Sequence, residues 1–138
     1  LGTEAEVNAL KSFGTNFGMT FQLIDDAIDY SSNKKILGKN TGDDFKEGKI
    51  TLPIILAYGR SNDKEKKFWE RTISDLNQND GDFEMALEII NKYQCIEDTL
   101  TRANHFSNVA VDSVDIFKDN IYKEKLVSLV SKSVSRIY

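Results

Sequence analysis

Apolar side chains recur at steps of three and four along one unbroken stretch: Val7, Leu10, Phe13, Phe17, Phe21, Ile24 and Ile28. That period keeps side chains on one face of an α-helix and is incompatible with a strand, whose faces alternate every residue. Thr3 followed by Glu6 adds a capping box in front of the run. Together they predict one helix from about residue 4 to 31, on the order of 40 Å long. The remaining sequence has the same character. With one proline, eight glycines and little strand-type alternation in 138 residues, the chain reads as all-α throughout.

Residues 32–49 (SNKKILGKNTGDDFKEGK) are polar and punctuated by glycine, which predicts a loop. Thr51 is placed to N-cap the next helix, with Pro53 in its first turn and a stop near Gly59. A third helix is expected over roughly 62–77, and NQNDGD (77–82) is a turn. Another helix begins near Asp82 and carries Phe83, Leu87, Ile90 and Tyr93; two more are expected over about 95–118 and 121–137. No repeat or low-complexity linker interrupts the pattern, so residues 1–138 are expected to form a single all-α unit.

Composition narrows the chemistry. A net charge of −4 gives no reason to expect nucleic-acid binding. No apolar run approaches the ~20 residues of a membrane span and the start resembles no signal peptide, so a cytoplasmic location is expected. Cys95 and His105 are the only cysteine and the only histidine. Disulfide, multi-cysteine zinc, Ser-His-Asp and multi-histidine metal chemistry are therefore disfavoured. Any catalysis must rest on carboxylates, lysines, backbone groups or a hard cation.

The segment LIDDAIDY (23–30) then stands out. Asp25, Asp26 and Asp29 crowd the last two turns of the first helix, where the helix dipole already disfavours negative charge by roughly 0.3–1 kcal/mol per exposed group. Asp25 and Asp29 stack one turn apart, Gln22 projects close to the same direction, and Asp26 points about 100° away. Gly14 and Gly18 lie below on the same side and leave a slot for a neighbouring helix or a ligand. A solvated acidic helix end is one reading. A divalent cation, which would reverse the sign of every repulsive term, is the other. Calcium usually gathers about six to eight oxygens from a wrapped loop, whereas magnesium takes few carboxylates plus phosphate and water. A flat D-D-x-x-D face therefore suits Mg2+ shared with a phosphate ligand. The loop that follows offers Lys34, Lys35, Lys39, Lys46 and Lys49 among Gly38, Gly42 and Gly48, a composition suited to diphosphate or simply to solvent.

FQLIDDAIDY and LGKNTGDDFKEGKITLPIILA resemble the second aspartate-rich region of trans-isoprenyl diphosphate synthases, most closely the long-chain polyprenyl (octaprenyl and decaprenyl) type. The similarity spans residues 21–57: Phe21-Gln22, Asp25-Asp26-x-x-Asp29, Gly38-Lys39, Gly42 with Asp43 or Asp44, and Gly48-Lys49-x-Thr51-Leu52-Pro53. Weaker similarity covers residues 9–18 and 82–110, with YQCI standing where the family usually has a glycine-containing turn. The resemblance implies an isoprenoid-synthase helical bundle of which this chain is a C-terminal portion. The family's first aspartate-rich motif, its arginines for the homoallylic diphosphate and a preceding Lys-Thr pair have no counterpart here.

The resemblance further implies head-to-tail condensation of an allylic diphosphate with isopentenyl diphosphate, giving a long-chain polyprenyl diphosphate for quinone biosynthesis. Under it, Asp25 is a direct Mg2+ ligand and Asp26 and Asp29 bind directly or through water. Asp43 supports the water shell, Lys39 and Lys49 hold diphosphate oxygens, and Gln22 makes an auxiliary contact near the reacting centre. It implies the remainder of the synthase chain as a partner, with a homodimer possible in the intact enzyme. The isolated chain is then expected to be inactive. A non-catalytic partner subunit of a heteromeric synthase is the alternative.

Other features read as structural. Phe17 and Phe21 are expected in the core, while Tyr30 either shelters a cavity or covers the helix end. DLNQND (75–80) lacks the glycine and the final glutamate of a calcium loop and is expected to be a turn. Trp69 and Cys95 are expected to pack, and His105 to be a surface or satisfied polar group. The last helix is amphipathic, which favours docking on the core and allows at most peripheral contact with anionic membrane.

Overall fold

The structure is a computed structural model that describes residues 2–31 and 41–137. Among these residues there are helices and connections but no strands. In order they are α1 (Glu4–Asp29), α2 (Asp43–Lys46), α3 (Leu52–Arg60), α4 (Asp63–Trp69) running into a π-helical turn (Glu70–Ser74), α5 (Asp82–Lys92), α6 (Cys95–Ser113) and α7 (Ile121–Val134), which ends in a 3₁₀ turn (Ser135–Ile137). No helix among the described residues is long and apolar enough to cross a membrane. The all-α expectation therefore holds, and most of its boundaries hold within a turn. Two local elements were not anticipated: the short helix α2 inside the expected loop, and the π-helical close of the third helix.

The chain divides into two compact units, residues 1–24 with 100–138 and residues 25–99. In the first, Phe13, Ala110, Val114 and Val130 form the core, with Phe17, Val111, Phe117, Leu126 and Val127 packed on it. Phe13 and Phe17 stack with ring centroids 5.8 Å apart. The Ser12 and Ser113 hydroxyls share a hydrogen bond of 2.8 Å. Thr3 and Glu6 form the expected capping box. Asn120 caps α7 by accepting from the Tyr122 and Lys123 amides, which satisfies two of the amides a helix start leaves open.

The second unit is built on Tyr30, Phe45, Ile54, Ala57, Trp69, Ile73, Ala86, Ile89, Ile90 and Cys95. Trp69 and Cys95 pack as expected. The Trp69 indole donates to Ser61 Oγ at 3.1 Å, and that hydroxyl donates to the Ala57 carbonyl at 2.7 Å. A buried indole N–H left without an acceptor would cost about 1–3 kcal/mol, so Ser61 is what makes tryptophan tolerable there. Asn62 and Glu65 form a capping box on α4. The 77–82 turn is closed by Asp82, which accepts from the Asn79 amide and holds Arg71 through both carboxylate oxygens at 2.8 and 2.9 Å.

Phe21 departs from its expected place. It is 47 % exposed, with the Arg136 guanidinium 4.6 Å from its ring centroid. On the helical wheel Phe21 lies about 80° from Phe13, on the flank shared with Val7 and Leu10, both also exposed. Tyr30, in contrast, is 2 % exposed and belongs to the core. His105 is exposed, as expected.

Candidate functional site

α1 keeps a helical course to Asp29, so the three aspartates take their directions from its last turns. They do not share one environment. Asp29 is fully buried, Asp26 is 7 % exposed and Asp25 is half-buried. Burying carboxylates is costly unless their oxygens are satisfied. For Asp29 part of the answer is the segment after residue 40: its Oδ2 accepts from the Asp44 amide at 2.9 Å, and its carbonyl accepts from the Gly42 amide at 2.9 Å. The start of α2 thus folds back on the end of α1 and brings the Asp44 amide to its carboxylate.

Two glycines make this return possible. Gly42 has φ of +91°, and a Cβ there would stand 2.9 Å from Phe83 Cζ. Gly48 has φ of +68°, and a Cβ there would meet Leu76 Cδ2 at 2.4 Å and the Ile73 carbonyl oxygen at 2.9 Å. Both are required by left-handed backbone and close packing. Gly48 also closes α2: its amide donates to the Phe45 carbonyl at 3.0 Å and the Lys49 amide to the Asp44 carbonyl at 2.9 Å. This pair of bonds around a left-handed glycine is a Schellman motif. It ends the helix and aims Lys49 back along it.

Lys49 Nζ consequently lies 3.5 Å from Asp44 Oδ1 and 2.8 Å from Glu47 Oε2. These anions, Glu47 first and then Asp44, raise the affinity of the ammonium group for its proton. Beneath the site, Phe83 lies 6.4 Å from the Tyr30 ring and 5.7 Å from the Phe45 ring. The Tyr30 hydroxyl has no hydrogen-bond partner among the described residues. Burial first, and then Asp29, Asp44 and Asp26, push its pKa far above that of an ordinary phenol. The tyrosine therefore stays protonated.

The sequence-predicted residues are distributed as follows. Asp25, Asp26 and Asp29 sit together at the end of α1, and Gln22 is exposed one turn earlier on the same helix. Asp43 is half-buried at the first position of α2. Lys49 is exposed beyond the Schellman turn. Lys39, with Lys34, Lys35 and Gly38, lies outside the described residues. Sequence reasoning passed over the role of Asp44, which is what touches both Asp29 and Lys49. The signal was present: a glycine four residues after Asp44 marks the turn that sets residue 49 against residue 44.

Among the described residues, no three acidic, imidazole or thiol side chains stand together as a ready-made metal group.

Residues 1–90 match the polyprenyl synthetase family. The chain belongs to this family. It is 37 % identical to the octaprenyl diphosphate synthase of Haemophilus influenzae over 99 % of its own length and 41 % of the relative's. It is 33 % identical to the octaprenyl diphosphate synthase of Escherichia coli over 97 % of its length and 41 % of that protein. Among solved structures, a decaprenyl diphosphate synthase from Rhodobacter capsulatus superposes with a TM-score of 0.92 at 34 % identity, over 99 % of this chain and 42 % of the other. A polyprenyl synthase from Caulobacter crescentus, complexed with calcium and isoprenyl diphosphate, gives a TM-score of 0.87 at 41 % identity, over 97 % of this chain and 41 % of the other. The chain thus spans about two fifths of the length of these polyprenyl synthetase relatives.

Proposed function

We propose that this chain is the C-terminal portion of a trans-polyprenyl diphosphate synthase, and that the end of its first helix binds the diphosphate of an allylic substrate through Mg2+. One observation carries the reading above the others: a buried and half-buried aspartate trio is joined through α2 to a lysine presented at the surface. That arrangement offers a divalent cation and an ammonium group to one polyanion. The Caulobacter relative, holding calcium and isoprenyl diphosphate, supports the same pairing of cation and diphosphate. Mg2+ would be held by Asp25, with Asp26 and Asp29 bound directly or through water and Asp43 supporting that shell. It would neutralise the diphosphate as a leaving group.

The remaining roles belong to the chain's own residues. Lys49 and Lys39 hold diphosphate oxygens, and Gln22 contacts the substrate near the reacting carbon. The reaction is head-to-tail condensation with isopentenyl diphosphate, and the octaprenyl and decaprenyl relatives favour a long-chain product suited to a quinone side chain. A soluble enzyme of the cytoplasm, dimeric when intact, fits this role. The exposed strip of α1, with Val7, Leu10, Gly14, Gly18 and Phe21 on one flank, favours the remainder of the synthase chain as partner.

Two measurements test the proposal. Calorimetric titration of the chain with pyrophosphate should show binding that requires Mg2+ and disappears in Asp25→Ala; Mg2+-independent binding that survives this substitution refutes the site. Incubation with a C15 allylic diphosphate, isopentenyl diphosphate and Mg2+ should give no elongation from the chain alone. Robust elongation would contradict its assignment as a portion of the enzyme.

A further inference from the structure

The assignment of Asp29 to the cation and Lys49 to the diphosphate leaves open what keeps the two at a constant separation. They are 20 positions apart in the chain, and Lys49 is a long side chain with more than half its surface in solvent. We propose that Asp44 is a positioning residue that holds the diphosphate lysine, Lys49, in register with the cation carboxylate of Asp29. This rests on the functional reading above and extends it to a residue outside the proposed ligand sets.

Three contacts converge on Asp44. Its amide donates to Asp29 Oδ2, its carbonyl accepts from the Lys49 amide, and its carboxylate faces Lys49 Nζ. The first two bind main chain to site on both sides. The third follows from the turn itself. A Schellman motif brings the side chain after the left-handed glycine against the side chain at the head of the last turn, a place commonly taken by two apolar residues. Here those positions hold Lys49 and Asp44, so an ion pair replaces the apolar contact.

Glu47 approaches the same ammonium more closely but is a poor anchor. Its side chain is 58 % exposed, whereas that of Asp44 is 11 % exposed. A carboxylate held among packed groups keeps its direction; one in solvent costs rotamer entropy each time it is ordered and contributes little. Gly48 packs the turn closely against Leu76 and the Ile73 carbonyl.

The test is a double-mutant cycle on pyrophosphate binding in Mg2+, using Asp44→Asn and Lys49→Met in the chain. Asparagine keeps the volume, the amide and the carbonyl of position 44 and removes only the charge. It should weaken binding about three- to tenfold with Lys49 present. With methionine at 49 it should have no effect or strengthen binding slightly, since only repulsion from the ligand is then relieved. Equal weakening in both backgrounds, or tighter binding with Lys49 present, overturns the proposal. Absence of pyrophosphate binding by the unmodified chain would count against the functional reading, and the link is then decided without ligand. NMR relaxation of the Lys49 side-chain methylenes should show Asp44→Asn raising their mobility to that of the exposed Lys46, while Glu47→Gln changes them little. No change in Asp44→Asn, or an equal change in Glu47→Gln, overturns the link.

Discussion

Replacing Gly48 by alanine should be among the most damaging single-methyl additions available to this chain, and its cost can be worked from two independent terms. At φ of +68° the added Cβ meets its own carbonyl, which costs an L-residue about 1–2 kcal/mol. The methyl must also displace its neighbours. Leu76 Cδ2, at 2.4 Å, is the end of a flexible side chain and can swing away. The Ile73 carbonyl oxygen, at 2.9 Å, belongs to the π-helical turn and can move only with it. Overpacking of this kind adds about 1–3 kcal/mol, and a cost of about 2–5 kcal/mol results, a large share of the ~5–15 kcal/mol stability of a typical domain. The single Trp69 lies buried in the same unit, so urea unfolding followed by its fluorescence reads the right region. The midpoint should fall by about 1–2.5 M at an m-value of about 2 kcal/mol/M. Gly14→Ala is the internal control. A Cβ at Gly14 meets nothing within 4 Å, so alanine in that helix interior should stabilise by about 0.5–1 kcal/mol, read by far-UV circular dichroism. A Gly48→Ala midpoint within about 0.3 M of the unmodified chain, or a destabilised Gly14→Ala, would refute the reasoning, since each has its sign from geometry alone.

Two further outcomes follow from the second unit. The Lys92 ammonium, with the Asn62 amide and Tyr93 hydroxyl, holds the Glu65 carboxyl at about 2, against the opposing effect of burial. Because this folded-state value lies below the ordinary one of 4.5, the associated stability is fully present above pH 4.5 and is lost as pH falls towards 2. Glu65→Gln should therefore flatten the acid limb of the stability–pH curve by roughly 1–2 kcal/mol once solvent screening of the half-exposed Lys92 is allowed for; chemical denaturation at pH 6 and pH 2.5 checks it, and an unchanged limb contradicts the assignment. Trp69→Phe should cost about 1–3 kcal/mol by circular dichroism, because Ser61 loses its indole donor and the smaller ring leaves space behind; Ser61→Ala, which strands the indole N–H, should cost a comparable amount.

Much of the fold was legible in the sequence because helices are decided locally. The three-four spacing from Val7 to Ile28, the Thr3–Glu6 box and Pro53 in the first turn of α3 each act within one or two turns, and each predicted its element. The candidate site was legible as residue types, since three aspartates against a helix dipole and a lysine-glycine segment are written in consecutive positions. Periodicity could not tell which side of α1 would be covered. Phe21 left its expected place in the core, and Tyr30, open between two readings, joined it, because burial depends on what arrives from distant segments. The π-helical turn at Glu70–Ser74 and the left-handed Leu76 lie beside Gly48, a proximity that no local pattern announces.

The order of the chain alone determined that it would be helical, acidic at the end of its first helix and short of the nucleophile and imidazole chemistries, because these depend on side-chain type and spacing over a few residues. Only the tertiary structure decided that Asp29 would be fully buried, that Asp44 rather than its neighbour would touch it, and that Lys49 would be aimed back at Asp44. The physical reason is the same for all three. A carboxylate enters a low-dielectric interior only where donors from another segment meet it, and that meeting is made by a chain reversal whose glycines must fit against residues 25 to 41 positions away.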